Sequence, residues 1–222
     1  MNPGAHLISP TFPEFETARK VLSEVTATDW TPTHPDGPYK SDGWRVVKIV
    51  SGGKRTEFVD RHPEIAQVLD YFKDPITMAV FYSMLPGAEI HPHRDLSGTL
   101  ELGKVRYHVP IETNPDVYFW VDKKRVPMQV GQMWALNTSY LHAVANRSTA
   151  DRVHLVVEVE TGQWSWAMLP AKGVRYYAHY ASFMTIVACR AITKLLTDKN
   201  AIQTYSGMSK TFMNRLLGRR AA

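Results

Sequence analysis

The strongest constraint on this chain is a succession of short β-rich runs between Met78 and Glu160, each closed by turn residues. MAVFYSML, AEIHPHRD, KVRYHVPIE, VYFWVD, VPMQV, MWALNT, LHAVAN and DRVHLVVEVE follow one another with no segment of helical length between them. About eight strands at this spacing predict an antiparallel sandwich or barrel. Residues two apart on a strand share a face. In Lys104 to Glu112, Val105, Tyr107, Val109 and Ile111 therefore oppose Arg106 and His108, and in the last run Val153, Leu155 and Val157 oppose Arg152 and His154. A solvated face explains either strand alone, whereas Arg and His at i and i+2 in both fit two polar faces lining a shared cavity.

The flanks read differently. Pro3, Pro10, Pro13, Pro32, Pro35 and Pro38 leave little room for regular structure near the start beyond a short helix over Glu14 to Val25. Trp44 to Val50 predicts a strand, and Pro63 to Phe72 a helix with proline in its first turn. After Trp166, Tyr177, Ala181, Met184, Ala188, Ala191 and Leu195 recur at helical spacing, and Met208, Phe212 and Leu216 do so over a shorter piece that Gly218 ends. The expected fold is mainly β, a double-stranded β-helix (jelly roll, cupin-like) with flanking N- and C-terminal helices. The expected division is a jelly-roll domain with its N-terminal flanking elements over residues 1–169 and a basic amphipathic helical extension over 170–222.

Composition narrows the chemistry. Cys189 is the only cysteine in 222 residues, which excludes an internal disulfide and a multi-cysteine zinc site. Any metal must then sit on His, Asp or Glu, and Cys189, on the apolar side of its helix, is expected to be buried and inert. No apolar run is long enough to span a bilayer, and Phe183 to Cys189 stops at Arg190. The opening MNPGAHLISPTFPEFE has no apolar leader core, so a cytoplasmic address is the expectation. The net charge of +5 is unevenly spread. From Ala171 onward, Lys172, Arg175, Arg190, Lys194, Lys199, Lys210, Arg215, Arg219 and Arg220 face Asp198 alone, so the body of the chain is slightly acidic. Such a tail fits a solvated helical cover, an attractor of acidic partners, or peripheral contact with an anionic membrane at its inner face. Nucleic acid fits worse, because no aromatic and basic residues interleave.

The ligand-type side chains concentrate in Pro86 to Asp95 (PGAEIHPHRD). On an extended chain His93 and Asp95 point to one face, close enough to hold one metal ion, and His142 in a later strand is the natural third ligand. Two His and one carboxylate on one face of an octahedron leave three open positions, which suits Fe(II) that must take a bidentate cosubstrate and O2. A buried Arg152 needs a planar anionic partner, and a dicarboxylate held bidentately answers that need. His91 shares the strand phase of His93, so a His-x-His pair with His142 and Asn146, as in a cupin metal site, stays open.

These residues resemble the aspartyl/asparaginyl β-hydroxylase-like family of Fe(II)/2-oxoglutarate dioxygenases, which includes proline-hydroxylase-like members. The resemblance covers about Phe81 to Glu160. It rests on I-x-P-H-x-D at Ile90 to Asp95, R-x-H-V-P-I at Arg106 to Ile111 and G-x-x-W-x-L-N-x-x-x-x-H-x-V-x-N-x-S from Gly131 to Ser148, closed by Arg152. It implies that His93, Asp95 and His142 ligate iron and are the catalytic residues, that Arg152 binds the distal carboxylate of 2-oxoglutarate, that His108 meets the cosubstrate's other end, and that Arg106 lies near cosubstrate or substrate. The implied activity is hydroxylation of an aliphatic carbon of an amino acid, an amino-acid-derived metabolite or a peptidyl Asp/Asn-like residue, with release of succinate and CO2. Retention of Asp95 looks more like the amino-acid hydroxylase branch than like members that bind iron with two histidines. The alternatives are a cupin-type metalloenzyme and a non-catalytic jelly-roll module on an anionic membrane surface.

Overall fold

A computed structural model describes residues 3–33 and 43–197. These fall into two compact units, one ending at Ala171 and the other beginning at Lys172. In the first unit the strands are β1 (Ala5–Ser9), β2 (Thr31–Pro32), β3 (Trp44–Ser51), β4 (Lys54–Arg55), β5 (Ile76–Met84), β6 (Glu89–His93), β7 (Lys104–Glu112), β8 (Val117–Val121), β9 (Lys124–Arg125), β10 (Met133–Leu136), β11 (His142–Asn146) and β12 (Arg152–Glu160). Its helices are α1 (Phe15–Ser23), α2 (Glu57–Arg61), α3 (Ile65–Asp70) and α4 (Gln163–Met168).

All pairings are antiparallel and form two sheets, as a jelly roll requires. The larger runs β1-β10-β7-β12-β5-β3-β2, with β4 on β3, and the smaller runs β6-β11-β8-β9. The fold is a mainly β double-stranded β-helix with flanking helices.

The alternation read from the sequence decides which way each face of the large sheet turns. Val105, Tyr107 and Val109 of β7, Leu155 and Val157 of β12 and Phe81 of β5 are buried in one cluster with Ala18 and Val21 of α1, Phe58 of α2 and Ile65 and Val68 of α3. The apolar face is therefore turned onto the helices. Trp164 of α4 joins them, edge-on to Phe72 and Tyr71. The opposite face looks toward the small sheet across a second cluster, in which Met84 and Leu136 meet Ile90, Phe119, Val121 and Val144. Arg106, His108, Arg152, His154 and Glu158 share that inner face by strand phase.

Several local expectations need correction. Residues 126–130 form no strand: Pro127 has no N–H, and the Val126 and Met128 amides bond to Phe119 and Val126 carbonyls in a turn-like path. Pro3 and Pro10 flank β1 rather than break it, and β1 becomes the edge strand beside β10. Glu57–Arg61 forms a short helix that the sequence reading did not separate from its surroundings.

The second unit contains α5 (Val174–Thr197). Tyr177, Ala181, Ala188 and Cys189 are exposed, so the periodic stripe read from the sequence is not the buried phase of this helix. Small alanines in that stripe carried too little area to set the phase, which Phe183 sets instead. Cys189 is thus not the buried thiol expected. The piece with Met208, Phe212, Leu216 and Gly218, and the basic residues from Lys199 onward, lie outside the described residues. Among the described residues no helix is long and apolar enough to cross a membrane.

Leu155 is fully buried in the cluster beneath the helices and away from the inner face. Leu155→Ala should therefore destabilise the protein by about 2–5 kcal/mol, read as a lowered urea midpoint with an unchanged slope.

Candidate metal centre and anion pocket

The local backbone explains how two histidines come together. His142, first residue of β11, pairs directly with His93, last residue of β6. Their rings lie 4.2 Å apart between centroids. The register slips between this pair and the next, Val144 with Ile90, so that His91 and Pro92 together oppose one residue of β11. The bulge places Ile90 and His93 three apart yet both inward, while His91 is exposed. In a regular strand His91 and His93 would have shared a face, and the bulge separates them.

Each ring is held by its other nitrogen. His93 Nδ1 is 2.8 Å from the His91 carbonyl, and His142 Nδ1 is 3.0 Å from the Tyr140 carbonyl. A carbonyl only accepts, so both Nδ1 atoms donate, which leaves the Nε2 of each ring as the atom that a metal ion would use. Asp95 lies beyond the end of β6, on a loop rather than on the expected extended strand. The loop is pinned by the Asp95 amide on the Thr138 carbonyl at 2.9 Å and by Arg94 on the Ser139 carbonyl at 2.7 Å. Asp95 Oδ1 sits 3.4 Å from His93 Nε2, and ligand atoms of His93, Asp95 and His142 all lie within 4.8 Å of one another. Two imidazoles and one carboxylate at this spacing match the donor set of a first-row metal with open positions.

Behind Asp95 runs a chain of opposite charges. Arg106 Nη1 pairs with Asp95 Oδ2, and Arg106 Nε donates to Glu158 Oε2 at 2.9 Å. Glu158 Oε1 accepts from Lys104 Nζ at 2.8 Å and from Thr77 Oγ1 at 2.7 Å. Burial alone would raise the Asp95 carboxyl; the His93 contact and the Arg106 charge outweigh it and hold the pKa below the usual carboxylate range.

On the same inner face lies a pocket of the other sign. Arg152 is 2% exposed and donates from Nη2 to His154 Nδ1 at 2.7 Å. No carboxylate lies within salt-bridge reach of it among the described residues, and its Nε, His154 Nε2 and His108 Nδ1 are buried without hydrogen-bond partners. Burial pulls Arg152 down to a pKa of about 9, which leaves it protonated at neutral pH. A buried cation and orphaned ring nitrogens on one wall are groups that an anion could satisfy. His154 also lines a cleft of about 400 Å³ walled by Phe119, Val126 and Met128, so this end of the sandwich is open to small ligands.

The sequence-identified residues thus form two groups. His93, Asp95 and His142 come together as one cluster, and Arg152 and His108 lie on the inner wall as expected from strand phase. Arg106 is occupied by two carboxylates. Asn146 donates its Nδ2 to the Met84 and Ala150 carbonyls, at 2.9 and 2.8 Å, and its Oδ1 accepts from the Ser148 amide and hydroxyl, at 3.2 and 2.7 Å, so its polar atoms are engaged within the chain, and His91 is exposed. Sequence reasoning missed Glu158, although it continues the inward phase of Arg152 and His154 in the same strand.

The described residues thus combine a jelly roll, a two-His, one-carboxylate cluster able to hold a metal ion, and a buried arginine on the larger sheet. Residues 14–162 match the profile of the family described as Aspartyl/Asparaginyl beta-hydroxylase, and the chain belongs to that family. Among solved structures, a prolyl-4-hydroxylase from Pseudomonas putida is 14% identical over 72% of this chain and 93% of that one, with a TM-score of 0.48. A 2OG-Fe(II) oxygenase family oxidoreductase from Burkholderia pseudomallei is 13% identical over 71% and 85%, with a TM-score of 0.48. HygX from Streptomyces hygroscopicus, solved with nickel and 2-oxoglutarate, is 12% identical over 72% and 84%, with a TM-score of 0.47.

Burial, reinforced at His108 and His154 by the nearby Arg152, holds both rings well below the usual imidazole pKa, and burial pushes His142 down to about 4. In the unfolded chain these rings titrate near 6.5. Between about pH 4 and 6.5 the unfolded state therefore binds more protons, so stability is full above this window and falls as pH drops through it. His142 alone should contribute about 3 kcal/mol to that loss. The Tm of metal-free protein should fall steeply from pH 7 to pH 5; a flat profile would contradict the buried neutral rings.

Proposed function

We propose that this chain is an Fe(II)- and 2-oxoglutarate-dependent dioxygenase that hydroxylates an aliphatic carbon. The substrates that fit are a free amino acid, an amino-acid-derived metabolite or a peptidyl Asp/Asn-like residue. The observation that carries the reading is that the sandwich holds both the His93, Asp95 and His142 cluster, whose histidines lie on the small sheet, and Arg152 on the large sheet, a buried cation that has no carboxylate partner among the described residues. Either feature alone has ordinary structural explanations. Together they supply a three-residue metal face and a fixed counter-charge for a dicarboxylate.

In this reading His93, Asp95 and His142 hold the iron. Iron with its 2-oxo acid and O2 supplies the oxidising power for the C–H bond and leaves succinate and CO2. The chain's residues do the placing. Arg152 binds the distal carboxylate, exchanging an unfavourable buried charge for a charge-assisted pair. His108, neutral because it is buried, meets the cosubstrate's other end as a hydrogen-bonding group that adds no charge. The apolar cluster of Met84, Leu136, Phe119 and Val144 keeps bulk water from the wall between them.

Incubation with iron, ascorbate, 2-oxoglutarate and a panel of amino acids and metabolites should give succinate together with a product heavier by one oxygen atom. Asp95→Ala should abolish both, and normal turnover in that variant would sink the metal assignment. Arg152→Met should bind 2-oxoglutarate at least roughly thirtyfold more weakly with metal binding retained. Because it removes an uncompensated buried cation, the ligand-free variant should melt no lower than wild type. A large drop in its Tm would indicate that Arg152 serves the fold.

A further inference from the structure

We propose that Arg106 is a positioning residue: it is the strut that aims the Asp95 carboxylate at the metal, and it is anchored for this by Glu158, Lys104 and Thr77. The inference rests on the metal reading above and assigns Arg106 a role in place of cosubstrate contact.

The need for a strut follows from where the three ligands stand. His93 and His142 are a cross-strand pair, so the sheet itself fixes their separation. Asp95 has no such support, since β6 ends at His93 and the carboxylate rides on a loop. A free carboxylate beside a cation can swing between one-oxygen and two-oxygen coordination, or turn away. With Oδ2 tied to Arg106, only Oδ1 is left for the metal, on the side where it already approaches His93 Nε2. One-oxygen binding keeps a coordination position open.

Arg106 can serve as a strut because it cannot move. It faces Glu158 directly across the β7 and β12 pairing, and its Nε bonds to Glu158. Glu158 is in turn 6% exposed and held by Lys104 and Thr77. The loop after Asp95 closes over this pair at Gly98, which has φ +66° and where a Cβ would run into both Glu158 Oε2 and Arg106 Nη2. A glycine there lets backbone cover the ion pair, so the loop that carries Asp95 and the guanidinium that aims it are packed as one piece. The same occupancy leaves Arg152 as the inner-wall cation without a carboxylate partner among the residues of this cluster.

The test separates support of the metal ligand from contact with the cosubstrate. Co(II) affinity is measured by titration calorimetry on the full-length metal-free protein, and 2-oxoglutarate affinity is then measured at saturating Co(II). Glu158→Gln and Arg106→Gln should each weaken Co(II) binding ten- to a hundredfold, the range for losing a group that orients a ligand. The visible Co(II) spectrum should change as Asp95 shifts its coordination. At saturating Co(II), Glu158→Gln should bind 2-oxoglutarate within about threefold of wild type. Arg106→Lys, which cannot span both carboxylates, should recover only part of the Co(II) affinity. If Glu158→Gln does not fold, Gly98→Ala leaves every charged group in place and should weaken Co(II) in the same direction. Wild-type Co(II) affinity in these variants, or a selective tenfold loss of 2-oxoglutarate binding in Arg106→Gln, would overturn the proposal. A wild-type protein that binds no Co(II), or binds it equally well as His93→Ala, would overturn the metal reading itself.

Discussion

The site depends on the large sheet having its apolar face turned outward onto helices. In most sandwiches the inner faces carry the hydrophobic burial, which leaves little room for charge between the sheets. Here Phe81, Tyr107, Leu155 and Val157 are buried against α1, α2 and α3 instead. The helices thereby take over much of the stabilisation, and the wall facing the small sheet can carry two arginines, a glutamate and two histidines. Burying such groups is unfavourable unless they are paired or bind a ligand. That requirement organises the rest of the interior.

The inner wall meets it in two ways. Near the metal cluster the charges are matched within the chain, Asp95 with Arg106 and Arg106 with Glu158, and the result is rigidity. Farther along, Arg152 and His154 bond to each other but, among the described residues, to no anion, and the result is an unmet demand. A structure that satisfies one buried cation twice and leaves the next without a counter-charge is asymmetric in a way that stability alone does not explain. Under the proposed function ligand binding would explain it, since the free energy of desolvating Arg152 would be recovered when a carboxylate arrives.

Much of this was legible in the sequence because strands have a period of two. The phase of Arg106 with His108, and of Arg152 with His154, pointed to the polar inner wall, and the residue types of His93, Asp95 and His142, together with the family resemblance, pointed to the cluster. What could not be read was anything that breaks the period or crosses between strands. The bulge at His91 and Pro92, which turns His91 outward, comes from register with β11 and not from local sequence. Asp95 was read as an extended-strand residue, yet it reaches the cluster from a loop. Arg106 looked free because its two acceptors lie 11 residues before it and 52 residues after it, joined only by sheet pairing and loop closure. In α5 the periodic run from Tyr177 through Ala181 and Ala188 imitated a buried stripe, whereas the buried residue is Phe183.

The most direct measurement is an anaerobic titration of 2-oxoglutarate into the Fe(II)-loaded protein, following the visible charge-transfer absorption that arises when a 2-oxo acid chelates ferrous iron. The expected result is a saturable band at one equivalent per chain in wild type, absent in His93→Ala and requiring far more 2-oxoglutarate in Arg152→Met. No band in wild type, or an unchanged band in His93→Ala, would contradict the assignment of this interior as the centre of an iron-dependent oxygenase.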